Sequence, residues 1–176
     1  DFDEYDSDVL SNFSSSRRRD FRYAAKNDLT FRELVSDEEI ESFYRLLCDN
    51  LQKYDAIPVH TLAELMEFRN SRLTENVAFY GVFAGDVLVA ASMVFLFGSR
   101  VFHTQYLSAS PHHLNLYPSN YLDTKLIEHA RESGFRFFSF GISTEENGRR
   151  LNESLAVFKE GFGTTYSNNK SFEKAF

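Results

Sequence analysis

The pattern of apolar and polar positions changes character near residue 27. Before it, Asp1, Asp3, Glu4, Asp6 and Asp8 give way to Ser14-Ser15-Ser16 and then to Arg17-Arg18-Arg19. Such a stretch has little apolar surface to bury, although Phe21, Ala24 and Ala25 can continue a short helix. Residues 1–26 therefore read as an arm with a basic helical patch, and 27–176 as one domain. From Leu29 the signals become regular, with a strand over 29–35. Ser36-Asp37-Glu38-Glu39 then spells a capping box. Behind it Ile40, Phe43, Tyr44, Leu47, Leu51 and Tyr54 recur at steps of three and four, one face of a helix. A second box, Thr61-Leu62-Ala63-Glu64, opens another helix after Pro58, with Leu62, Leu65 and Met66 on its buried stripe.

A block of strands follows. Residues 77–83 form one, and 87–97 are almost continuously apolar, as a strand covered on both faces would be. Gly98-Ser99 reads as a two-residue hairpin turn, and 100–108 as the return strand. Alternation places Phe102, Thr104, Tyr106 and Ser108 on one face, and Val101, His103, Gln105 and Leu107 on the other. Pro118-Ser119-Asn120 opens a helix that ends at Gly134. A strand over 135–140, a helix over 149–160 and one or two strands within 164–176 complete the order β-α-α-β-β-β-α-β-α-β. The fold class is α/β (α+β), with a mixed sheet that starts antiparallel and gains a strand through a helical crossover.

Composition narrows the chemistry. A length of 176 residues suits a single core. Lys+Arg 19 against Asp+Glu 26 gives a net charge of −7, which argues against a general binder of phosphate backbones. The single cysteine, Cys48, lies on an apolar helical stripe as filler, and no Cys/His spacing suggests a metal site. No apolar run reaches the roughly 18–20 residues of a membrane helix and no signal-peptide pattern is present, so a reducing, cytoplasmic setting is expected.

Candidate chemistry concentrates in three places. The end of strand 100–108 feeds a helix N-terminus whose free amides and partial positive charge suit an anion such as pyrophosphate. Tyr117, Ser119 and Asn120 can add contacts there, or Ser119 simply caps. Neither GxGxxG nor GxxxxGK[ST] occurs. His103 and Gln105 share a strand face and can line a cleft, with His103 able to relay protons. His112-His113 reads as a solvated loop pair and His129 as structural. Third, a polar segment containing Glu145, Glu146 and Asn152 precedes a helix ending Phe158-Lys159-Glu160-Gly161-Phe162-Gly163. The two glycines imply special backbone angles or a close approach. Lys159 either complements the helix dipole or faces a phosphate or developing oxyanion.

Strand 100–109, the Pro118-Ser119-Asn120 helix start, Gly134-Phe135-Arg136-Phe137-Phe138-Ser139-Phe140-Gly141 and Phe158-Lys159-Glu160-Gly161-Phe162-Gly163 together resemble the Fem-type (FemAB-like) acyltransferases. These are a branch of the GNAT acyltransferase superfamily. Ser16-Arg17-Arg18-Arg19 resembles the basic helix that precedes the second GNAT-like half in that family. The resemblance implies a mixed sheet whose central strands splay to admit an acyl donor, and transfer of an acyl or aminoacyl group to an amine or hydroxyl. It implies that a backbone amide within Tyr106-Leu107-Ser108 polarises the donor carbonyl, and that Tyr117, Ser119 and Asn120 hold the donor's pyrophosphate. Lys159 would stabilise charge during transfer, with Phe158 packed beside it and His103 a candidate base. Gln105, Glu146, Asn152 and Phe158 are the expected acceptor-binding residues.

Two departures qualify that expectation. The glycine-containing pyrophosphate loop of GNAT proteins is replaced by Asn115-Leu116-Tyr117-Pro118-Ser119-Asn120. Fem-type proteins commonly pair two GNAT-like halves, whereas this chain has room for one. It is either a single-unit relative or the partner of an amino-terminal half outside it. The favoured reading is an acyltransferase that uses acetyl-CoA or another acyl-CoA, acting on a small-molecule, sugar or peptidoglycan-type acceptor. Charged tRNA is the alternative donor, approached through Arg17, Arg18, Arg19, Arg22 and Lys26. A non-catalytic binding module is the third reading.

Overall fold

The computed structural model describes residues 1–52 and 55–168. Strand β1 (Leu29–Glu33) leads to Ser36, whose hydroxyl accepts the Glu39 N–H at 3.3 Å. In return the Glu39 carboxylate accepts the Ser36 and Val35 amides at 3.1 and 2.7 Å. This reciprocal box opens α2 (Asp37–Gln52), which buries Ile40, Phe43, Leu46 and Leu47. Tyr54, expected on the same stripe, lies outside the described residues. The Thr61/Glu64 box also forms, and α3 (Leu62–Glu67) continues into one π turn over Phe68–Arg72.

Strands β2 (Val77–Ala84), β3 (Val87–Phe97) and β4 (Val101–Ala109) run as an antiparallel meander. After α4 (Pro118–Glu132), strand β5 (Phe137–Ser139) joins β4 in parallel, giving the sheet order β1-β2-β3-β4-β5. Phe79, Ala91 and Met93 pack with α2 on one face. Val82, Ala90, Val94 and Phe102 pack with α4 on the other. Cover on both faces accounts for the unbroken apolar run in β3.

Two details depart from the sequence expectation. Phe97 pairs with Val101, so the β3–β4 turn holds three residues instead of two. The third, Arg100, offers its carbonyl to the Arg136 and Phe137 amides at 3.1 and 2.9 Å and so guides β5 into place. Second, the β3–β4 register slips by one residue: Val94 faces Thr104 while Met93 faces Tyr106, leaving Gln105 as a bulge. Strict alternation put Tyr106 and Ser108 beside Phe102 and Thr104. The bulge instead turns Tyr106 and Ser108 to the α2 face and Leu107 to the α4 face.

The last third also differs. The helix expected over 149–160 starts later, because Thr144–Glu145 (β6) and Arg150–Leu151 (β7) form a small hairpin. Asn152 then caps α5 (Glu153–Glu160), its side-chain oxygen accepting the Leu155 N–H at 3.0 Å. Residues 164–168 contain no strand, and the rest of the expected terminal strands lies outside the described residues.

The acidic first residues bury more than their composition suggests. Val9 and Phe13 sit in a cluster with Ile127, Phe140 and Phe162, while Asp8 stays outside and caps the 3-10 turn Val9–Asn12. The Tyr5 hydroxyl donates to the Phe162 carbonyl at 2.6 Å, and the Ser14 amide to the Gly161 carbonyl at 2.8 Å. Helix α1 (Ser15–Ala24) then lies along α4, with Phe21 stacked on Tyr121 and Tyr23 on Tyr117.

Gly163 closes this arm. Its φ is +74°, and a Cβ there would stand 2.6 Å from the Asn12 carbonyl oxygen. Gly163→Ala is therefore expected to destabilise the protein by about 1–3 kcal/mol, and to make residues 1–13 the first target of limited proteolysis. Thermal melts and a timed digest check this; a variant that melts and cleaves like wild type would mean that the arm is held elsewhere.

Candidate functional site

Strands β4 and β5 pair at only three positions, Val101 with Phe137, Phe102 with Phe138 and His103 with Ser139. The pairing closes with Thr104, whose hydroxyl donates to the Ser139 carbonyl at 3.2 Å. Beyond it the two strands share no register. On the β3 side, the Ser110 amide donates to the Val89 carbonyl at 2.8 Å. Amides alternate in direction along a strand, so the N–H groups of Leu107 and Ala109 point to the opposite edge, which β5 has left. The result is a gap with backbone donors along one wall that have no partner among the described residues.

Lys159 occupies the other side. It is buried, and its ammonium donates to the Ile142 and Gly141 carbonyls at 2.5 and 3.4 Å, just past the end of β5. Burial lowers its pKa to about 8, against the opposing pull of Asp123. Asp123, on the buried face of α4, is 1% exposed, and one of its carboxyl oxygens has no hydrogen-bond partner among the described residues. Burial raises its pKa to about 8, although Arg17 and Lys159 both act to lower it. Arg17 completes the group. Its guanidinium lies over the Phe158 ring at 4.3 Å and donates to the Asn120 side-chain oxygen at 2.9 Å. Gly161 leaves the room for it, since a Cβ there would stand 2.8 Å from the Arg17 side chain.

A second group lines the α2 side of β4. His103 Nδ1 is 3.0 Å from the Ser139 hydroxyl, and burial lowers the pKa of the ring while the neighbouring Gln105 acts to raise it. Burial also raises the pKa of Tyr106. The Tyr106 hydroxyl stands 2.8 Å from His60 Nδ1 and accepts the His60 backbone amide at 3.3 Å.

The expected residues form two clusters that meet at Gly141, where the His103 ring packs and whose carbonyl Lys159 holds. Lys159 and Phe158 share one with Asn120, and His103 and Gln105 share another with the Tyr106 side chain. At the α4 start, Tyr117 is left-handed and takes the cap position without a side-chain bond, so Ser119 does not cap. Pro118 has no N–H and the Tyr121 amide donates to the Tyr117 carbonyl, which leaves the Ser119 and Asn120 amides without a partner among the described residues. The Asn120 side chain is already committed to Arg17. Glu146 stands exposed beyond β6, 3.7 Å from Arg150. Asn152 is engaged as a cap and by Glu145 at 2.7 Å; no hydrogen bond or ion pair among the described residues joins Glu146 or Asn152 to Lys159 or β4. An open hollow of about 690 Å³ lies beside them, lined by Glu145, Arg149, Arg150 and Ser154 among others.

Asp123 and His60 are absent from the sequence reading. Asp123 left a signal, an acid on the helical stripe shared with Leu122, Leu126 and Ile127. His60 left none, because its partner is 46 residues away.

The acetyltransferase (GNAT) domain family matches residues 11–148. Among solved structures, the chain is similar to FemX, with a TM-score of 0.73 and 13% identity, over 93% of this chain and 57% of that one. It thus spans somewhat over half of the FemX chain. It is also similar to an aminoglycoside acetyltransferase from an uncultured soil metagenomic sample, solved with sisomicin, at a TM-score of 0.58 and 13% identity over 86% and 98% of the two chains. The acetyltransferase AAC(6')-Iy, solved with a CoA bisubstrate analogue, scores 0.59 at 13% identity over 84% and 98%. No curated protein matches by sequence.

The buried pair leaves a signature in stability. From about pH 4 to about pH 8, folded Asp123 keeps a proton that the unfolded chain has released, so stability falls as pH rises. From about pH 8 to about 10.5, the unfolded chain keeps a proton that folded Lys159 has lost, so stability recovers. Melting curves of Asp123→Asn are expected to lack the fall between pH 4 and 8, and to exceed wild type most near pH 8. A variant that parallels wild type across that range would contradict a protonated Asp123.

Proposed function

The chain belongs to the GNAT acetyltransferase family, and on that footing we propose that it moves an acyl group from an acyl-CoA to an amine or hydroxyl of a sugar or cell-envelope precursor. The observation that carries this is the gap beside β4, with the outward amides of Leu107 and Ala109 on one wall and the Lys159 ammonium on the other. A thioester carbonyl set into that gap would receive a hydrogen bond from the Leu107 amide. Charge developing on its oxygen during attack would then meet donors already in place, which is where such donors lower a barrier most. The nearby cation of Lys159 adds to the same field. Phe158 and Arg17 close the gap from the α5 side and keep water from the carbonyl.

For the donor, the Ser119 and Asn120 amides face the place a pyrophosphate would take. Arg22, on the helix whose Tyr23 stacks on Tyr117, and Lys26 just after that helix supply cations beside it. The CoA analogue bound to AAC(6')-Iy supports this choice, and the sisomicin complex of the soil-metagenome enzyme supports a sugar-borne amine as acceptor. A cytoplasmic setting suits these substrates. Among the described residues, no helix is long and apolar enough to cross a membrane.

A second reading, transfer from aminoacyl-tRNA, is favoured by one observation. With Pro118 at its first position, α4 presents two amides without a partner among the described residues and no glycine cradle, whereas Arg19 and Arg22 of α1 and Lys26 just after it are exposed beside it. The two donors separate in a melting experiment. Acetyl-CoA at about 100 times its Kd is expected to add about 2.7 kcal/mol of stability and to raise Tm by several degrees. Lys159→Met is expected to keep that shift and to slow acetyl transfer about 100-fold. No shift at millimolar acetyl-CoA, together with salt-sensitive retention of charged tRNA, would move the assignment to the second reading.

A further inference from the structure

Acyl transfer to an amine needs the acceptor without its ammonium proton, and the Lys159 ammonium is engaged on the Gly141 and Ile142 carbonyls. We propose that Tyr106 and His60 form a two-step relay that carries this proton from the acceptor to solvent. The inference rests on the acyl-transfer reading above and adds to it the residues that prepare the acceptor.

The placement comes from the bulge. By adding one residue at Gln105, β4 turns the Tyr106 side chain to the α2 face directly beside Leu107, whose amide points into the gap. The Tyr106 hydroxyl therefore stands one residue from the proposed carbonyl site, on the face opposite α4. A phenol oxygen that accepts the His60 backbone amide at 3.3 Å has its own proton free for His60 Nδ1, 2.8 Å away. That arrangement leaves Nδ1 as the acceptor and the ring proton on Nε2. The ring is held edge-on against Phe68, with centroids 5.2 Å apart, so its direction is set by packing as well as by the hydrogen bond. It follows a segment in which Ile57 and Val59 are exposed, so the relay opens toward solvent on the side away from α4.

In the step proposed, an acceptor ammonium gives one proton to the Tyr106 oxygen as the tyrosine's own proton passes to His60 Nδ1. The neutral amine then attacks the thioester carbon. A nitrogen–carbon bond forms, the carbon–sulfur bond breaks, and the second amine proton leaves with the thiolate. The His60 imidazolium returns its extra proton to solvent. The titratable groups facing the pair are Glu64 from α3 and Tyr44 from α2. The Glu64 carboxylate accepts the Thr61 amide at 2.7 Å.

The test uses acetyl-CoA as donor and two small acceptors, ethylamine, which is protonated at neutral pH, and methoxyamine, which is not. His60→Gln and Tyr106→Phe are each expected to slow transfer to ethylamine by about 100-fold at neutral pH, to leave methoxyamine within about twofold, and to make the ethylamine rate follow the free-amine fraction, still rising well above neutral pH. Equal losses on both amines would mark the pair as structural and overturn the relay, as would unchanged rates on ethylamine. Wild-type protein that acetylates neither amine would remove the acyl-CoA reading and the relay with it. Wild-type transfer with an unaffected His60→Gln removes the relay alone.

Discussion

A backbone group that loses its strand partner inside a protein needs another, and the parting of β5 from β4 imposes that need on both strands at once. The two sides meet it differently. On the β5 side, the Ile142 and Gly141 carbonyls receive the Lys159 ammonium, so a cation is drawn into the interior to satisfy acceptors. On the β4 side, the Leu107 and Ala109 amides have no such cover and remain available. The gap therefore has donors on both walls and a net preference for negative charge, in a protein whose overall charge is −7. What the molecule binds depends on this local field and hardly at all on the sum of its charges.

Drawing a cation inside has further effects. Asp123 lies in the same interior, and burial keeps its carboxyl neutral up to about pH 8. Arg17 enters from the other end of the fold, stacked on Phe158 and bonded to Asn120, and ties α1 to α4 and α5 together. The proposed catalytic wall and the amino-terminal arm are thereby one packed unit. The arm contributes a guanidinium at the site, and Phe13 beneath it.

Much of the architecture was legible from the chain because its signals are local. Both capping boxes form with the predicted partners, and the apolar run of 87–97 marks a strand covered on two sides. The glycines of the 158–163 segment also announced a close approach, which proves to be to Arg17 and Asn12. The bulge at Gln105 was not legible. A pattern of period two reads the same whether or not one residue is inserted, so Tyr106 was assigned to the wrong face. Nor does a sparse series such as Phe2, Tyr5, Val9 and Phe13 look like a buried face until Phe162 arrives to cover it. Asp123 was readable in principle, since an acid on an apolar helical stripe is either paired or neutral.

The contact between Tyr5 and Phe162 spans 157 positions of sequence. A ribosome adding roughly 5–20 residues per second takes roughly 8–30 s to cover that distance. Throughout that interval Val9 and Phe13 have no permanent shelter, because Phe162, which covers them, has yet to be made. Ile127 and Phe140, the other members of that cluster, are made earlier, so the amino-terminal segment gains its packing surface in steps and its cover last.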